Sequence, residues 1–251
     1  MRANLLILGG TTEATALAQA LATAGVQGIV SFAGRVARPK PQPLPHRIGG
    51  FGGVDRLGDY LKAEKITHVI DATHPFAAQM SHNATHACAQ MNVPLMALTR
   101  APWAQQPGDQ WSRVPDIAGA VAALDTPARR VMLAVGRMHL NSFATCPQHF
   151  YMLRLVDPPN DIPALPNTHV VVSRGPFLEA DDIALMQEHA IDLVVSKDAG
   201  GTGAYAKIAA ARALNLPVIM IDRPAIAHRP EAHSVADVMT WLGHSGIDLG
   251  V

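Results

Sequence analysis

Short apolar runs along the chain alternate with Ala-rich stretches whose apolar positions recur at helical spacing. Parallel strands need a crossover connection, usually a helix, so this alternation predicts an α/β fold. Leu5–Leu8 reads as a strand, and Glu13–Ala24 as a helix with Ala14, Leu17, Ala18 and Leu21 on one face, stopped by Gly25. Val26–Ala33 reads as a second strand. A helix near Arg56–Glu64 then leads to the strand His68–Asp71, and a helix through Met91 leads to Pro94–Leu98.

Pro-rich, weakly patterned sequence from Ala101 to Pro127 separates this half from a second series of strands. These are Arg130–Val135, Phe150–Leu155, His169–Ser173, Asp192–Ser196 and Pro217–Ile221, with helices near Glu179–Glu188, Tyr205–Leu214 and Ser234–Leu242. The expected architecture is two Rossmann-like lobes with mainly parallel sheets and a ligand cleft between them. The lobes span 1–100 and 128–251, with 101–127 as a connecting segment. The proline-dense Pro39–Pro45 is expected to be an exposed loop.

Composition narrows the function classes. A 49% hydrophobic content over 251 residues supports a substantial core. Twenty basic residues balance twenty acidic ones, so no net field favours nucleic acid. Cys88 and Cys146 are too far apart for a metal or redox pair, which fits a reducing cytoplasm. No apolar run is long enough for a membrane span, and Asn83-Ala84-Thr85 matches a glycosylation acceptor only by chance in a chain that is not exported. His82 and His86 have i, i+4 spacing, but nothing nearby completes a ligand set, so no metal site is expected.

Chemistry concentrates after the strands. Leu5 to Ala14 runs from a buried strand through Gly9-Gly10 into a helix start, where a dinucleotide fold offers backbone N–H groups to phosphate. Thr11 and Thr12 supply hydroxyls and a helix cap, while Glu13 is either a cap or a ribose ligand. The full GxGxxG pattern is absent. The second strand ends without the carboxylate that NAD-binding folds use; Ser31, Gly34 and Arg35, with Arg38 beyond, suit the 2′-phosphate of NADPH. Thr73 and His74 lie at the carboxyl end of the third strand. Another glycine turn, Gly200-Gly201, follows the Asp192–Ser196 strand without a Walker ending, and Tyr205 and Lys207 lack the spacing of a short-chain dehydrogenase pair. Arg137, Arg174, Lys197 and Lys207 are candidates for binding substrate carboxylates.

Leu8-Gly9-Gly10-Thr11-Thr12-Glu13-Ala14, Arg47-Ile48-Gly49-Gly50-Phe51-Gly52-Gly53, Asp71-Ala72-Thr73-His74-Pro75-Phe76-Ala77 and Ser196-Lys197-Asp198-Ala199-Gly200-Gly201 with Tyr205-Ala206-Lys207 resemble the precorrin-6A reductase family. The likeness spans nearly the whole chain, and the segment from Asp71 to Ala77 is its most specific part. Asp198, where the family commonly has Asn, and the Pro39–Pro45 loop depart from the pattern. The resemblance implies NADPH-dependent reduction of one carbon–carbon double bond in a ring-contracted tetrapyrrole polycarboxylate, giving precorrin-6B in cobalamin biosynthesis. It brings Gly52 into the cofactor set and Gly200, Gly201 and Tyr205 into the substrate set. His74, Asp198, Tyr205 or water is the expected proton source. A cobalt-precorrin relative, a reductase of another small substrate and a nonenzymatic NADPH sensor stay open.

Overall fold

Asn4–Leu8 (β1) is apolar at every position but its first, and its side chains alternate between two cores. Leu5 and Ile7 face one core; Leu6 and Leu8 face the other. The computed structural model describes residues 3–34, 41–156, 165–173 and 175–247. The chain divides into two units: residues 1–100 with 225–251, and residues 101–224.

In the first unit, β1 leads into α1 (Thr12–Thr23), β2 (Gln27–Phe32), β3 (His46–Ile48), α2 (Val54–Ala63), β4 (His68–Asp71), α3 (Ala78–Met91) and β5 (Leu95–Leu98). The second unit contains β6 (Gln110–Val114), α4 (Ile117–Ala122), β7 (Arg130–Ala134), a 3-10 helix (Arg137–Thr145), β8 (Phe150–Leu155), β9 (Thr168–Val172), α5 (Glu179–Glu188), β10 (Leu193–Lys197), α6 (Ala206–Ala213) and β11 (Pro217–Ile221). The chain then returns to the first unit with β12 (Glu231–Ala232) and α7 (Val235–His244).

The first sheet has the order β12-β5-β4-β1-β2-β3, and every pair in it is parallel. This is the doubly wound 3-2-1-4-5-6 order of dinucleotide-binding folds, with β12 as the sixth strand. The buried face of α1 is Ala14, Leu17, Ala18 and Leu21, as its spacing predicts, and it shares a core with Val238 and Leu242 of α7. On the other face, Leu57 and Leu61 of α2 meet Ala84, Ala87 and Cys88 of α3 over Leu6, Leu8 and Val69.

The second sheet runs β6-β11-β10-β7-β8-β9, again all parallel. Counted from β7 it repeats the first order, except that its sixth position is filled by β6, which comes before β7 in the chain. Met132, Met152, Val194, Val218 and Met220 of this sheet pack with Met186 of α5, Ile208, Ala210 and Ala211 of α6, and Trp103.

Two boundaries therefore differ from the sequence expectation. Residues 101–127 are not a bare connection: they carry β6 and α4 and belong to the second unit. Residues 225–251 belong to the first unit, not to a lobe spanning 128–251. The physical reason is weak local signal. β6 is an edge strand with mostly exposed positions, and β12 is two residues long, so neither shows a burial period. Within the described part of the Pro39–Pro45 loop, Leu44 is buried in the first core, and the Pro45 carbonyl accepts from Val30 N–H at 2.9 Å, so that part is anchored rather than fully exposed.

Candidate functional site

The first sheet changes winding direction between β1 and β4, and their carboxyl ends place two loops side by side. Thr11 is the N-cap of α1: its Oγ1 accepts from Ala14 N–H at 3.1 Å and donates to the Ala72 carbonyl at 2.8 Å. The glycine turn is thus tied to the Asp71–Ala77 segment. Because Thr11 spends its hydroxyl within the protein, its contribution is to shape the turn. Gly10 has φ +121°, and a Cβ there would meet no atom of the described residues within 4 Å, so among these residues the backbone at Gly10 is open to a ligand. An added Cβ on Gly9 would come within 3.0 Å of Val30 Cγ1. Backbone access of this kind fits a pyrophosphate at a helix start.

Glu13 is braced by a residue that sequence reasoning missed. Arg100 donates through Nε to Glu13 Oε1 at 2.7 Å and through Nη2 to Oε2 at 2.6 Å, and reaches the exposed Thr12 hydroxyl at 3.3 Å. Burial raises the Glu13 carboxyl, but the Arg100 hydrogen bonds and charge, with Glu13's own backbone and Thr12, outweigh it and hold it below its usual value. An ionised Glu13 paired this way is a brace for the turn, and its carboxylate is already engaged. Arg100 follows the β5 run by two residues; its place after a strand was the available signal.

At the ends of β2 and β3, Ser31 pairs in register with Arg47. Arg47 Nη1 donates to Ser31 Oγ and to the Gly49 carbonyl, both at 2.8 Å, and Nη2 reaches the Gly50 carbonyl at 3.4 Å. The guanidinium lies 4.0 Å from the centroid of the Phe51 ring. Gly34 sits beside this corner, within 3.4 Å of Ile48 by its would-be Cβ, and Gly52 lies against Arg56. Arg35 and Arg38 fall outside the described residues.

Asp71 at the end of β4 accepts from the Thr73 hydroxyl at 2.7 Å and from its N–H at 3.2 Å, and pairs with Arg229. His74 Nδ1 accepts from Phe76 N–H at 3.1 Å, which puts the ring proton of neutral imidazole on Nε2. To act as an imidazolium acid His74 would have to give up that bond, so this geometry suits it as an Nε2–H donor.

In the second unit the corresponding edge lies between β7 and β10. Gly200 and Gly201 have φ +65° and +62°, two successive left-handed residues that turn the chain sharply after β10. Trp103, also missed because it lies in the proline-rich stretch, clasps this turn: its Nε1 donates to the Gly201 carbonyl at 2.7 Å and its N–H to Asp198 Oδ1 at 3.0 Å. Asp198 has a 0% exposed side chain, and its Oδ2 accepts from Arg113 at 3.0 Å. Asp198, one of the expected candidate proton sources, is thus enclosed with both carboxylate oxygens hydrogen-bonded.

Lys207, expected as a candidate ligand for substrate carboxylates, lies inside the second unit. It is buried, its Nζ donates to the Ala204 carbonyl at 2.6 Å, and it lies 5.0 Å from the Trp103 ring centroid. Burial, followed by the charge of Arg154, pushes it down to about 7 against an upward pull from Asp182. Tyr205 is half-buried, edge-on to Trp103, with its hydroxyl hydrogen-bonded to Arg212. Lys197 is half-buried at the end of β10, and Arg137 is exposed at the end of β7; Arg174 lies outside the described residues. The same strand ends carry exposed apolar side chains: Met138 (65%), Val156, Val172 and Leu178 (61%) follow β7, β8 and β9 or close β9 itself.

Among the described residues, no group of three or more His, Cys, Asp or Glu side chains is placed to hold a metal. His82 and His86 are exposed on α3 with ring centroids 4.0 Å apart. No described helix is long and apolar enough to cross a membrane.

Comparison with known proteins matches residues 4–243 to the model of the precorrin-6x reductase CbiJ/CobK family. A precorrin-6A reductase of Rhodobacter capsulatus is 55% identical over 243 residues, covering 97% of each chain. A solved structure of CobK precorrin-6A reductase superposes with a TM-score of 0.95 at 54% identity, covering 99% of this chain and 100% of that one. A cobalt-precorrin-6A reductase of Synechocystis is 28% identical, over 88% of this chain and 89% of its own.

Proposed function

The chain belongs to the precorrin-6x reductase CbiJ/CobK family, and from that premise we propose that it is an oxidoreductase that reduces precorrin-6A to precorrin-6B with NADPH in cobalamin biosynthesis. The observation that carries the cofactor half is the open Gly9–Gly10 turn at the point where a 3-2-1-4-5-6 sheet reverses its winding. Gly9, Gly10 and Thr12 would receive the pyrophosphate, with Thr11 and the Glu13–Arg100 pair holding the turn. Ser31, Gly34, Arg35 and Gly52 would surround the adenosine end, and Thr73 and His74 the nicotinamide end. The absence of a carboxylate at the end of β2 supports NADPH over NADH. When bound, the cofactor supplies a hydride.

The substrate half rests on the carboxyl edge of the second sheet. Exposed Met138, Val172 and Leu178 would give apolar contacts to a macrocycle, while Arg137 and Lys197, together with Arg174 of the sequence reading, would meet its carboxylates. The second glycine turn and Tyr205 bound this edge. The candidate proton sources for this reading are Tyr205, whose hydroxyl accepts from Arg212, and His74, whose Nδ1 accepts from Phe76 N–H; water is the third. The greater identity to the precorrin-6A reductase than to the cobalt-precorrin enzyme supports the metal-free substrate.

The test is anaerobic turnover with NADPH and precorrin-6A, following nicotinamide absorbance and the tetrapyrrole spectrum together. Stoichiometric loss of NADPH with formation of the reduced macrocycle supports the proposal. NADPH binding without turnover of precorrin-6A overturns the substrate assignment.

A further inference from the structure

Arg47 combines three properties that together favour an anionic ligand. Its orientation is locked by bonds to Ser31 Oγ, Gly49 O and Gly50 O and by the face of Phe51. It makes no ion pair with any described carboxylate, whereas Arg100, Arg113, Arg129, Arg154, Arg212 and Arg229 each have one. It is also half-buried, so its charge is only partly relieved by water. A fixed, partly desolvated guanidinium without a counter-ion is an anion site whose ordering cost has already been met by the fold.

Its position gives the anion's chemistry. Arg47 pairs with Ser31 at the end of β2, some twenty residues beyond the glycine turn, where dinucleotide folds contact the adenosine ribose. Three hydrogen bonds use three of the five guanidinium N–H groups, leaving Nε–H and one Nη2–H without a partner among the described residues. The Ser31 hydroxyl accepts from Arg47, so its own proton is available to a second acceptor. One serine O–H and two guanidinium N–H donors suit a phosphomonoester, which presents three acceptor oxygens, better than a neutral ribose hydroxyl.

We infer that Arg47, seated on Ser31, is the residue that distinguishes NADPH from NADH by binding the ribose 2′-phosphate. This rests on the NADPH reading above and assigns the discrimination to a residue of β3 instead of to the loop that follows β2. The preference comes from one charge held in place, so it is removed by substituting Arg47 and cancelled by placing a carboxylate at residue 31.

The experiment measures Kd for NADPH and NADH by titration calorimetry, and for the fragments adenosine 2′,5′-bisphosphate and AMP, in wild type, Arg47→Ala, Arg47→Lys and Ser31→Asp. Arg47→Ala is expected to weaken NADPH and the bisphosphate about 10- to 100-fold while changing NADH and AMP by less than about threefold, the loss of charge-assisted bonds. Arg47→Lys should recover part of that loss by charge alone, and Ser31→Asp should erase the preference. The lysine and Ser31→Asp variants keep the inference testable if the alanine variant unfolds. Wild type that binds NADH as tightly as NADPH overturns the NADPH reading itself. Wild type that prefers NADPH, with the preference surviving in Arg47→Ala and Ser31→Asp, leaves that reading standing and overturns the role of Arg47.

Discussion

Asp71 and Arg229 form an ion pair across 158 positions of sequence, with side chains only 1% and 7% exposed. Asp71 ends β4, and Arg229 stands just before β12, so the pair ties the returning C-terminal segment to the loop that carries Thr73 and His74. The second unit has a counterpart: Asp198, just past β10, is held by Arg113 of β6. In each unit an acid beside the winding switch is neutralised by an arginine from the sixth-strand position.

Breaking this pair should destabilise the first unit. Asp71→Asn leaves the Arg229 charge buried, at a cost of about 3–5 kcal/mol. Arg229 Nε makes no hydrogen bond, and its second ion-pair partner, Glu231, is 3.7 Å away and half exposed, so it offsets only part of that cost. Urea unfolding of Asp71→Asn, Arg229→Met and the double variant checks this. The double variant should be more stable than the sum of the single losses predicts, and strict additivity would mean that the two charges do not interact.

Arg100→Ala should loosen the first glycine turn without altering cofactor choice. Glu13 loses both of its guanidinium bonds and Thr12 loses one. An increase in Kd of about 5- to 20-fold is expected for NADPH and NADH alike, since charge-assisted bonds contribute about 1.5–3 kcal/mol and part is recovered by solvation. A loss confined to NADPH would place Arg100 at the 2′-phosphate instead.

Lys207 gives a pH-dependent stability with a defined sign. Its folded value of about 7 lies below the usual 10.5, so between these the unfolded chain binds the extra proton. The penalty for burying the ammonium is full below about pH 7 and fades as pH rises toward 10.5. Wild type should therefore gain stability relative to Lys207→Met across that window, by at most about 1.4 kcal/mol per pH unit. Urea midpoints of both proteins measured through the window decide it, and a constant difference would show that Lys207 keeps its proton on folding.

Trp103→Phe should keep most of the packing but remove the Nε1 bond to the Gly201 carbonyl. The expected loss is about 1 kcal/mol of stability, with faster amide exchange in residues 199–204 than in β10. In turnover, KM for the tetrapyrrole should rise more than kcat falls if the indole acts only by holding the turn. Unchanged exchange in that turn would mean the clasp is redundant.

Much of this fold was legible in local sequence. His68–Asp71, Phe150–Leu155 and Pro217–Ile221 are strands at their expected bounds, because parallel strands covered on both faces carry consecutive apolar residues, here Val69-Ile70, Phe150 to Leu153 and Val218 to Ile221. The buried face of α1 follows from helical periodicity, and the turns at Gly9–Gly10 and Gly200–Gly201 from glycine's access to conformations other residues avoid.

Tertiary structure alone decided the rest. β3, β6 and β12 are short or exposed, and exist because a neighbouring strand supplies their hydrogen bonds. The return of residues 225–251 to the first unit depends on which core accepts Val238 and Leu242, and an amphipathic face does not name its partner. The roles of Arg47, Arg100 and Trp103, and the burial of Asp198 and Lys207, are set by partners on other elements. Charge and residue type are local properties of the chain, but desolvation and pairing arise only when distant segments meet, so a sequence presents candidate groups and the fold determines which of them remain available to a ligand.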